Sequence, residues 1–302
     1  MKFIIEEKDN GKLLRSFLQE IGVSASLCAR LKRHPEGMLL DGRRVTVRAV
    51  LRSGQHLELA IEDREPPLHV LPRKLPINVL LHTTEFTVLN KPAGMPTHPS
   101  HGHFEDTLAN ALAYHFANGD APFRPRFVNR LDRNTTGVVL VANHALSASA
   151  LSAAMAKGEI QKSYLALCHG ELSAPFVIRT GIRRREESII FRECCPEGEG
   201  ELAITEVEPL FAENGITYLR LVPKTGRTHQ LRVHLASLGH PLLGDDLYGI
   251  KGDGFARHAL HAHTLRFPHP ATGELITVTA PLPDDMKEVL RTLGKEPFDA
   301  DL

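Results

Sequence analysis

Four prolines lie within the fifteen residues from 62 to 76, in the segment EDREPPLHVLPRKLP. Proline fixes φ and has no amide donor, so a segment this rich in it forms neither a helix interior nor a central strand. The segment predicts an extended linker that divides the 302-residue chain into two domains of unequal size. We expect a small domain over residues 1–62, a linker over 63–76 and a larger domain over 77–302.

The small domain shows the periodicities of two short helices followed by short strands. Apolar residues recur at helical spacing in two segments, and apolar triplets then flank an Asp-Gly turn signal. We expect helices over Lys12–Glu20 and Leu27–Arg33, the second capped by Ser24 or Ser26, then a hairpin of Met38–Leu40 and Val45–Val47 around Asp41-Gly42, and a strand over Gln55–Ile61.

Positive charge is concentrated in this small domain. The whole chain has a net charge of zero, but phosphate binding depends on local potential rather than on the total. Between positions 12 and 55 there are nine basic and three acidic residues, an excess of six positive charges. Three of these bases, Arg30, Lys32 and Arg33, share the second helix and are the candidate RNA contacts.

The arrangement of helices and basic hairpin resembles the S4 RNA-binding domain over about fifty residues. The alternative is a small α+β domain whose basic face is only solvated, and this segment alone does not decide between the two. The resemblance implies an RNA partner.

The targeting and cysteine patterns indicate a cytoplasmic protein. The sequence contains no apolar run of about 18 residues, the length that predicts a membrane helix. The amino terminus, MKFIIEEKDNGK, has acidic residues where a signal peptide needs a longer apolar stretch. The four cysteines show no C-x-x-C spacing, and adjacent Cys194 and Cys195 are poorly suited to a structural disulfide. We expect reduced thiols and no membrane partner.

The larger domain mixes strand and helix patterns. Strands that follow one another through short turns favour an α+β fold with a mainly antiparallel mixed sheet and flanking helices. The predicted strands are Asn78–Leu81, Phe86–Leu89, Val138–Val141, Ser163–Leu167, Ala203–Pro209 and Thr217–Val222, and the predicted helices are Thr107–Ala117, Ala145–Ala156, Thr228–Leu238 and Asp284–Leu293.

A carboxylate between two arginines occupies the polar segment 127–137, FVNRLDRNTTG. Asp132 lies between Arg130 and Arg133, and the apolar run Val138–Ala142 follows as a predicted strand. Cationic neighbours favour the ionised form of a carboxylate, which suits a nucleophile rather than a general acid. The alternative is a surface ion-pair cluster, which is the more common role of such a run.

A second informative segment, 223–239, reads PKTGRTHQLRVHLASLG. It predicts a strand, a glycine turn and a helix that is capped by Thr228 and ends at Gly239. Arg232 lies beside the apolar stripe of this helix, where an unpaired guanidinium would be costly. We therefore expect a carboxylate partner, and Asp132 is the candidate. The phosphate-binding consensus G-x-x-x-x-G-K-[ST] is absent, so the segment does not indicate a nucleotide site.

Together these segments resemble the RluA-type family of RNA pseudouridine synthases, and further motifs extend the resemblance over residues 75–287. These motifs are Lys91–Pro96 (KPAGMP), Lys162–Tyr164 (KSY), Gly244–Gly249 (GDDLYG), Leu260–Ala262 (LHA), Phe267–Pro270 (FPHP) and Ala280–Pro283 (APLP). The resemblance implies the pseudouridine synthase fold for the larger domain, behind an S4-like domain.

The resemblance also implies a role for each matching residue. Asp132 would be the nucleophile at a flipped uridine, and Arg130 would help to evict the base and take its place in the helix. Tyr164 would lie against the uracil ring and accept a proton late in the reaction. Arg232 would pair with Asp132 and hold it ionised, while Leu231 would contribute to the apolar wall.

Asn129 departs from the family pattern, which commonly has histidine before the Arg-Leu-Asp triplet. Asparagine does not titrate near neutral pH, so essential acid–base chemistry at this position is not expected. We interpret Asn129 as a structural or RNA-contacting residue that binds substrate in place of the histidine.

The expected reaction needs no cofactor and no metal, because pseudouridine is an isomer of uridine. Two clusters of histidines suggest the alternative of a metal site. They are His98, His101 and His103, and His258, His261 and His263. We favour RNA contact or plain loop polarity as the role of both clusters. A carboxylate could attack C1′ or abstract a ribose proton, and the sequence does not separate these routes.

The expected substrate is structured RNA, with large-subunit ribosomal RNA favoured over transfer RNA, and the expected state is a monomer. One rival function is a non-catalytic RNA-binding or ribosome-assembly protein on the same fold. Another is a glycosidase, for which a second carboxyl is not evident in the sequence.

Overall fold

The computed structural model describes residues 1–61, 70–117 and 122–296. Its strands form two separate sheets, one of four strands in the amino-terminal part and one of eleven strands in the larger part. The eleven-stranded sheet is antiparallel except for one parallel pairing. The predicted α+β class with a mainly antiparallel mixed sheet is thereby confirmed.

The amino-terminal module, residues 1–61, packs two helices on the four-stranded sheet around a core of its own. Its strand order is β1-β4-β2-β3, with antiparallel neighbours. The elements are β1 Lys2–Ile4, a 3-10 helix Glu7–Asp9, α1 Leu14–Glu20, α2 Ala25–Arg33, β2 Met38–Leu40, β3 Arg43–Arg44 and β4 His56–Leu59.

The predicted turn and one of the two proposed caps are found in this module. Asp41 and Gly42 both have positive φ, at 50° and 74°, as a two-residue hairpin turn requires. The second hairpin strand is Arg43–Arg44, directly after the turn, so its prediction at 45–47 was wrong. Ser24 caps α2 by accepting a hydrogen bond from the Leu27 amide.

The large sheet has the strand order β11-β10-β12-β13-β9-β14-β8-β6-β5, with β15 paired to β14 and β7 paired to β8. Its strands are β5 Val79–His82, β6 Phe86–Lys91, β7 Arg126–Phe127, β8 Thr136–Ala142, β9 Gln161–His169, β10 Phe176–Arg184, β11 Arg192–Cys195, β12 Glu201–Glu213, β13 Ile216–Pro223, β14 Leu260–Pro268 and β15 Leu275–Thr279. The helices are α3 Leu108–His115, α4 Ala145–Ala156, α5 Gln230–Ser237 and α6 Asp284–Thr292.

Strand β8 lies inside the domain and is buried along its whole length. Successive side chains of a strand point to opposite faces, so its apolar run supplies two cores. Val139 and Val141 pack in one core with residues of α3 and α5, whereas Val138 and Leu140 pack in another with residues of α4. Both faces of the sheet are therefore covered at β8.

The start of α5 differs from the prediction. The helix begins at Gln230, and His229 precedes it in the left-handed conformation, with φ 57° and ψ 16°. His229 rather than Thr228 thus occupies the N-cap position, and its side chain makes no capping hydrogen bond. The prediction of Thr228 as the cap was wrong, because the glycine turn runs one residue further than the pattern indicated.

The amino-terminal module is docked on α4. Leu146 of α4 is part of the module's buried core, and Ala145 packs against it. A groove of about 780 Å³ runs along this junction and is lined by small side chains together with Arg30 and Arg126. The contact is larger than a proline-rich linker alone would indicate.

The predicted linker at 63–76 lies partly outside the described residues. Its final part runs along α3, where the Asn110 side chain donates to the Leu71 carbonyl at 2.7 Å and the Arg73 amide donates to the Asn110 carbonyl at 3.0 Å. Leu75 and Ile77 pack against the core of the large domain.

In the described part of the chain, no helix combines the length and apolar character that crossing a bilayer requires.

Candidate active site

The loop that carries Asp132 connects β7 to β8, and its backbone is fixed at four consecutive residues. The carbonyl oxygens of residues 131–134 each accept a hydrogen bond. In that order, the donors are Thr97 Oγ1 (2.9 Å), the Thr135 amide (3.1 Å), Lys91 Nζ (2.9 Å) and Arg257 Nη1 (3.1 Å). The carboxylate is therefore presented from a loop whose backbone is held on both sides, which is what a preorganised site needs.

Lys91 supports this loop from inside the protein. The residue is fully buried, and its Nζ also donates to the carbonyls of Pro92 and Met95, both at 2.8 Å. Burial lowers the pKa of Lys91 to about 7, while the charge of Asp132 opposes that shift. The three carbonyl acceptors match the three donors of an ammonium group and further favour the charged form. The sequence motif contained Lys91, but no role had been assigned to it.

Arg257 connects the same loop to the carboxy-terminal helix. Its Nε and Nη2 pair with the two carboxylate oxygens of Asp285 in α6, at 2.7 and 3.0 Å. Its Nη1 donates to the Asn134 carbonyl and also to the carbonyls of His258 and Leu260. A bidentate pair fixes the plane of a guanidinium, so α6 helps to position the loop through one side chain.

A glycine lets the loop enter the sheet beside Tyr164. Gly137 has φ 109°, and a Cβ there would lie 2.1 Å from the Ala262 carbonyl oxygen. Ala262 is the register partner of Gly137 on one side and of Tyr164 on the other. Three neighbouring strands thus bring these residues to one level, and only glycine permits the close approach between β8 and β14.

The Asp132 carboxylate lies where a cation, an imidazole and solvent meet. Its side chain is 31% exposed, and its Oδ2 is 3.4 Å from Arg232 Nη1 and 3.9 Å from His229 Nε2. Arg232 is buried in α5, as the apolar stripe predicted, and it does contact Asp132. The carboxylate can therefore reach a ligand while one of its oxygens faces positive charge.

Arg232 makes its shorter bonds to a second carboxylate that sequence reasoning missed. Its Nε and Nη2 donate to the two oxygens of Asp245 at 2.8 and 2.7 Å, and both side chains are almost fully buried. The exposed Asp246 accepts from Nη2 at 3.0 Å. Burial alone would lower the pKa of Arg232, but the hydrogen bonds and charge of Asp245 outweigh it and raise that pKa. The GDDLYG motif contained the signal, without showing which arginine it serves.

An apolar wall stands beside the carboxylate. Tyr164, Leu131 and Leu231 belong to one buried core cluster, together with Ala262. Burial raises the pKa of Tyr164, and the charge of Asp132 raises it further. The phenol is therefore protonated at neutral pH. Leu131 precedes Asp132 in the loop and the charge of Asp132 acts on Tyr164, so this buried cluster borders the carboxylate.

His229 completes the site and was not among the predicted residues. Its Nδ1 lies 3.0 Å from the Tyr248 hydroxyl, which accepts a hydrogen bond from the Arg192 amide at 2.9 Å. Where that hydroxyl donates to Nδ1, the imidazole proton lies on Nε2, the atom that faces Asp132. Burial lowers the pKa of His229, with the charge of Asp132 opposing, so the imidazole is neutral at pH 7. Its left-handed backbone, rare outside glycine and asparagine, marks the position only in the folded structure.

Asn129 and Arg130 differ in their surroundings. Asn129 is buried, donates from Nδ2 to the Val138 carbonyl at 3.0 Å and accepts from the Leu140 amide at 2.8 Å. Both ends of its amide thus hold β8, which favours the structural of its two predicted roles. Arg130 is exposed beside Asp132, and its charge lowers the pKa of His98, after burial as the main cause.

The three candidate RNA contacts do not form one cluster. Arg30 lines the groove against α4 and donates to the Ile61 carbonyl at 3.1 Å. Lys32 borders a different cavity of the module, where Arg44 Nη2 donates to its carbonyl at 3.3 Å. Arg33 is exposed at the end of α2. The basic residues therefore border two separate concave surfaces.

The histidine clusters serve hydrogen bonds. His258 Nε2 and His261 Nδ1 lie 2.8 Å from the hydroxyls of Thr135 and Thr136, at the entry to β8. Within residues 1–61, 70–117 and 122–296, no group of three or more histidine, cysteine or acidic side chains has the arrangement to hold a metal ion.

Comparison with known proteins points to one family. A family model described as RNA pseudouridylate synthase matches residues 85–237. An RNA pseudouridine synthase of Bacillus subtilis is 33% identical over 92% of this chain and 98% of its own length. Ribosomal large subunit pseudouridine synthase D of Xanthomonas campestris is 34% identical, over 85% of this chain and 81% of its own. The solved human RNA pseudouridylate synthase domain containing 1 is 26% identical with a TM-score of 0.57, covering 78% of this chain and all of that one.

Proposed function

Because the chain belongs to the RluA-type RNA pseudouridine synthases, we propose that it converts specific uridines of large-subunit ribosomal RNA to pseudouridine, with Asp132 as the nucleophile. Transfer RNA is the second candidate substrate. The relative from Xanthomonas campestris named for the ribosomal large subunit supports the first choice. The observation that carries the catalytic part is the Asp132 carboxylate, half-exposed on a fixed loop between Arg232 and an apolar wall.

The reaction begins with extraction of the uridine, because its glycosidic bond is out of reach inside a helix. Flipping costs a few kcal/mol, and stacking on an aromatic ring returns roughly 1–3 kcal/mol. Tyr164 supplies that ring, and Leu231 lies in the same core cluster. Arg130 is exposed beside the loop and would fill the place that the base leaves.

Asp132 then breaks the bond between uracil and ribose, by attack at C1′ or by removal of a ribose proton. Arg232 lies 3.4 Å from its Oδ2 and keeps positive charge beside the carboxylate. The freed uracil rotates against Tyr164 and Leu231, and its C5 joins C1′. The proton on C5 leaves last, and the Tyr164 hydroxyl, protonated beforehand, would have to pass on its own proton to accept it.

Water must be excluded during rotation, since a trapped sugar would otherwise be hydrolysed. A glycosidase instead uses a second carboxyl to activate water. Asp245 does not fill that role. Burial would raise the pKa of Asp245, but its bonds from Arg232 and from the amides of Leu247 and Tyr248 lower it, and its side chain is closed to solvent.

Tritium release from RNA labelled at uracil C5 tests this function directly, because replacement of that hydrogen by the glycosidic bond frees it. We expect release from ribosomal RNA, at positions found by mapping pseudouridines with and without the gene. Asp132→Asn removes the charge and hardly any volume, so it should abolish release while RNA affinity and thermal stability stay unchanged. Activity within about tenfold of the wild type would remove Asp132 as the nucleophile. RNA binding without any release would favour the non-catalytic RNA-binding alternative.

A further inference from the structure

The amino-terminal module contains a cavity of about 340 Å³ that is separate from the Asp132 site. It lies between the end of α2 and the segment that follows β3. Leu31 and Met38, both buried, form its floor, and the half-buried Val45 and Val47 form its walls. The interior is therefore mainly apolar and continuous with the core of the module, and the exposed Thr46 adds one hydroxyl to the lining.

The mouth of the cavity is cationic. Lys32 and Arg44 line it and are both exposed. Arg44 Nη2 donates to the Lys32 carbonyl at 3.3 Å, which holds the guanidinium at this position. Asp41, the acidic residue of the hairpin turn, is engaged with Gln55 and the His56 amide at 2.9 and 2.8 Å. An apolar interior under a positive rim calls for a ligand with a flat apolar part between negative groups.

We propose that this cavity holds one unpaired nucleobase of the RNA, with its flanking phosphates on Lys32 and Arg44. A cavity of about 150 Å³ already accommodates benzene, so one of 340 Å³ has room for a base. Phosphates lie on both sides of each base in a strand, which fits two cations at one mouth. Paired bases are stacked inside a helix and could not enter, so the site selects a bulged or looped nucleotide.

This site goes beyond the isomerisation of uridine. It requires RNA as the partner but uses no residue of the Asp132 site, since its lining falls within residues 31–47. The protein would then recognise two features of one RNA, the target uridine and an unpaired nucleotide held by the module.

The test compares two RNA duplexes of equal length, one fully paired and one with a single bulged 2-aminopurine nucleotide. We expect the full chain to bind the bulged RNA roughly tenfold more tightly, as burial of one base against aliphatic side chains allows, with a change in 2-aminopurine fluorescence. Val45→Phe and Val47→Phe fill the cavity from two positions, and each should abolish the preference while leaving affinity for the paired duplex unchanged. Val50→Phe is the matched control, because Val50 is 55% exposed in the same module and does not line the cavity.

Substitutions at the rim and in the cavity should differ in their effect on the salt dependence of RNA affinity. Lys32→Gln should weaken both RNAs and lower the slope of log affinity against log salt by about 1, whereas the filling variants should keep the slope. Thermal melting identifies which filling variant is folded. Equal wild-type affinity for both RNAs, or a preference that survives in a folded filling variant, would overturn the proposal. Because the assay measures binding alone, loss of tritium release with the preference intact rejects the proposed catalysis and not this site.

Discussion

Asp245 and Asp246 are adjacent in sequence, and both pair with the Arg232 guanidinium. Substituting each in turn compares the contribution of a buried carboxylate to stability with that of an exposed one. Both accept from Arg232 Nη2, at 2.7 and 3.0 Å, but Asp245 is closed to solvent whereas Asp246 is 62% exposed. Asp245→Asn keeps the volume and removes the charge, which leaves the buried Arg232 with one 3.4 Å contact to Asp132 and one exposed partner. Asp246→Asn makes the same chemical change at the surface.

The expected magnitudes differ because only one of the two variants uncovers a buried charge. Breaking a buried pair by removing one partner costs about 3–5 kcal/mol, and the amide oxygen that remains puts Asp245→Asn at about 3 kcal/mol. A domain of this size loses about 2–4 °C of melting temperature for each kcal/mol, which gives a fall of roughly 6–12 °C. An exposed pair contributes under about 1 kcal/mol, so Asp246→Asn should lower the melting temperature by less than about 4 °C.

Calorimetric melting of the wild type and both variants between pH 3 and pH 8 checks this reasoning. The pKa of Asp245 lies below its ordinary value of 3.8, because Arg232 and two backbone amides outweigh the effect of burial. A depressed carboxyl pKa stabilises the fold fully above the unfolded value, and this contribution is lost as the pH falls through the folded value. The gap between wild type and Asp245→Asn should therefore be constant from pH 8 to about pH 5 and shrink below about pH 4. Turnover should fall about a hundredfold, as a misplaced Arg232 implies. Equal losses in the two variants, or a gap unchanged at pH 3, would refute the assignment.

Substitutions at three further residues test the site. Tyr164→Phe keeps the stacking ring but removes a hydroxyl that burial and Asp132 hold protonated. Uridine capture should therefore persist while the single-turnover rate falls roughly a hundredfold. Tyr164→Leu should also weaken capture, and a wild-type rate in the Phe variant would leave Tyr164 a packing residue. Lys91→Met leaves three carbonyls without their donor at about 1 kcal/mol each, so calorimetry should show a loss of about 3 kcal/mol, and an unchanged stability would contradict the buried role. His229→Asn introduces a residue that tolerates positive φ, so kcat should fall with little change in the free energy of unfolding. His229→Ala should lower that free energy by about 1 kcal/mol more. Equal kcat in the wild type and the Asn variant would exclude the imidazole from positioning Asp132.

The elements that the sequence predicted well are those with an uninterrupted local pattern. Strand β8 is an apolar run, and α4 is rich in alanine and leucine, which are strong helix formers, so both lie where the prediction placed them. Strand β10, Phe176–Arg184, was missed because its exposed face carries arginines, and its alternation is recognisable only once its partners are known. Strand β14 was noted as a motif but not as a strand, since its two histidines hid the apolar alternation.

The residues of the candidate site show the same division between local and distant signals. Asp132 and Arg232 were expected to meet, and they do, because a buried guanidinium needs a carboxylate. The stronger partner, Asp245, is only 13 residues further along, but the turn between them sets the contact and no periodicity reveals it. Lys91 was missed because lysine is rarely fully buried. Its three carbonyl acceptors come together only in the folded loop.

Strand β8 also connects the docking contact of the amino-terminal module to the Asp132 loop. The Asp132 loop enters it at Thr136, and α4, on which the amino-terminal module docks, follows its other end at Ala142. Seven residues of strand span about 20 Å, so the docking contact and the carboxylate lie at opposite ends of one rigid, fully buried strand. Under the proposed function, an RNA held by the module would cross this distance to deliver its uridine, which would set the spacing between any feature bound there and the modified position. The module would then influence which uridine reaches Asp132 from the far end of the strand.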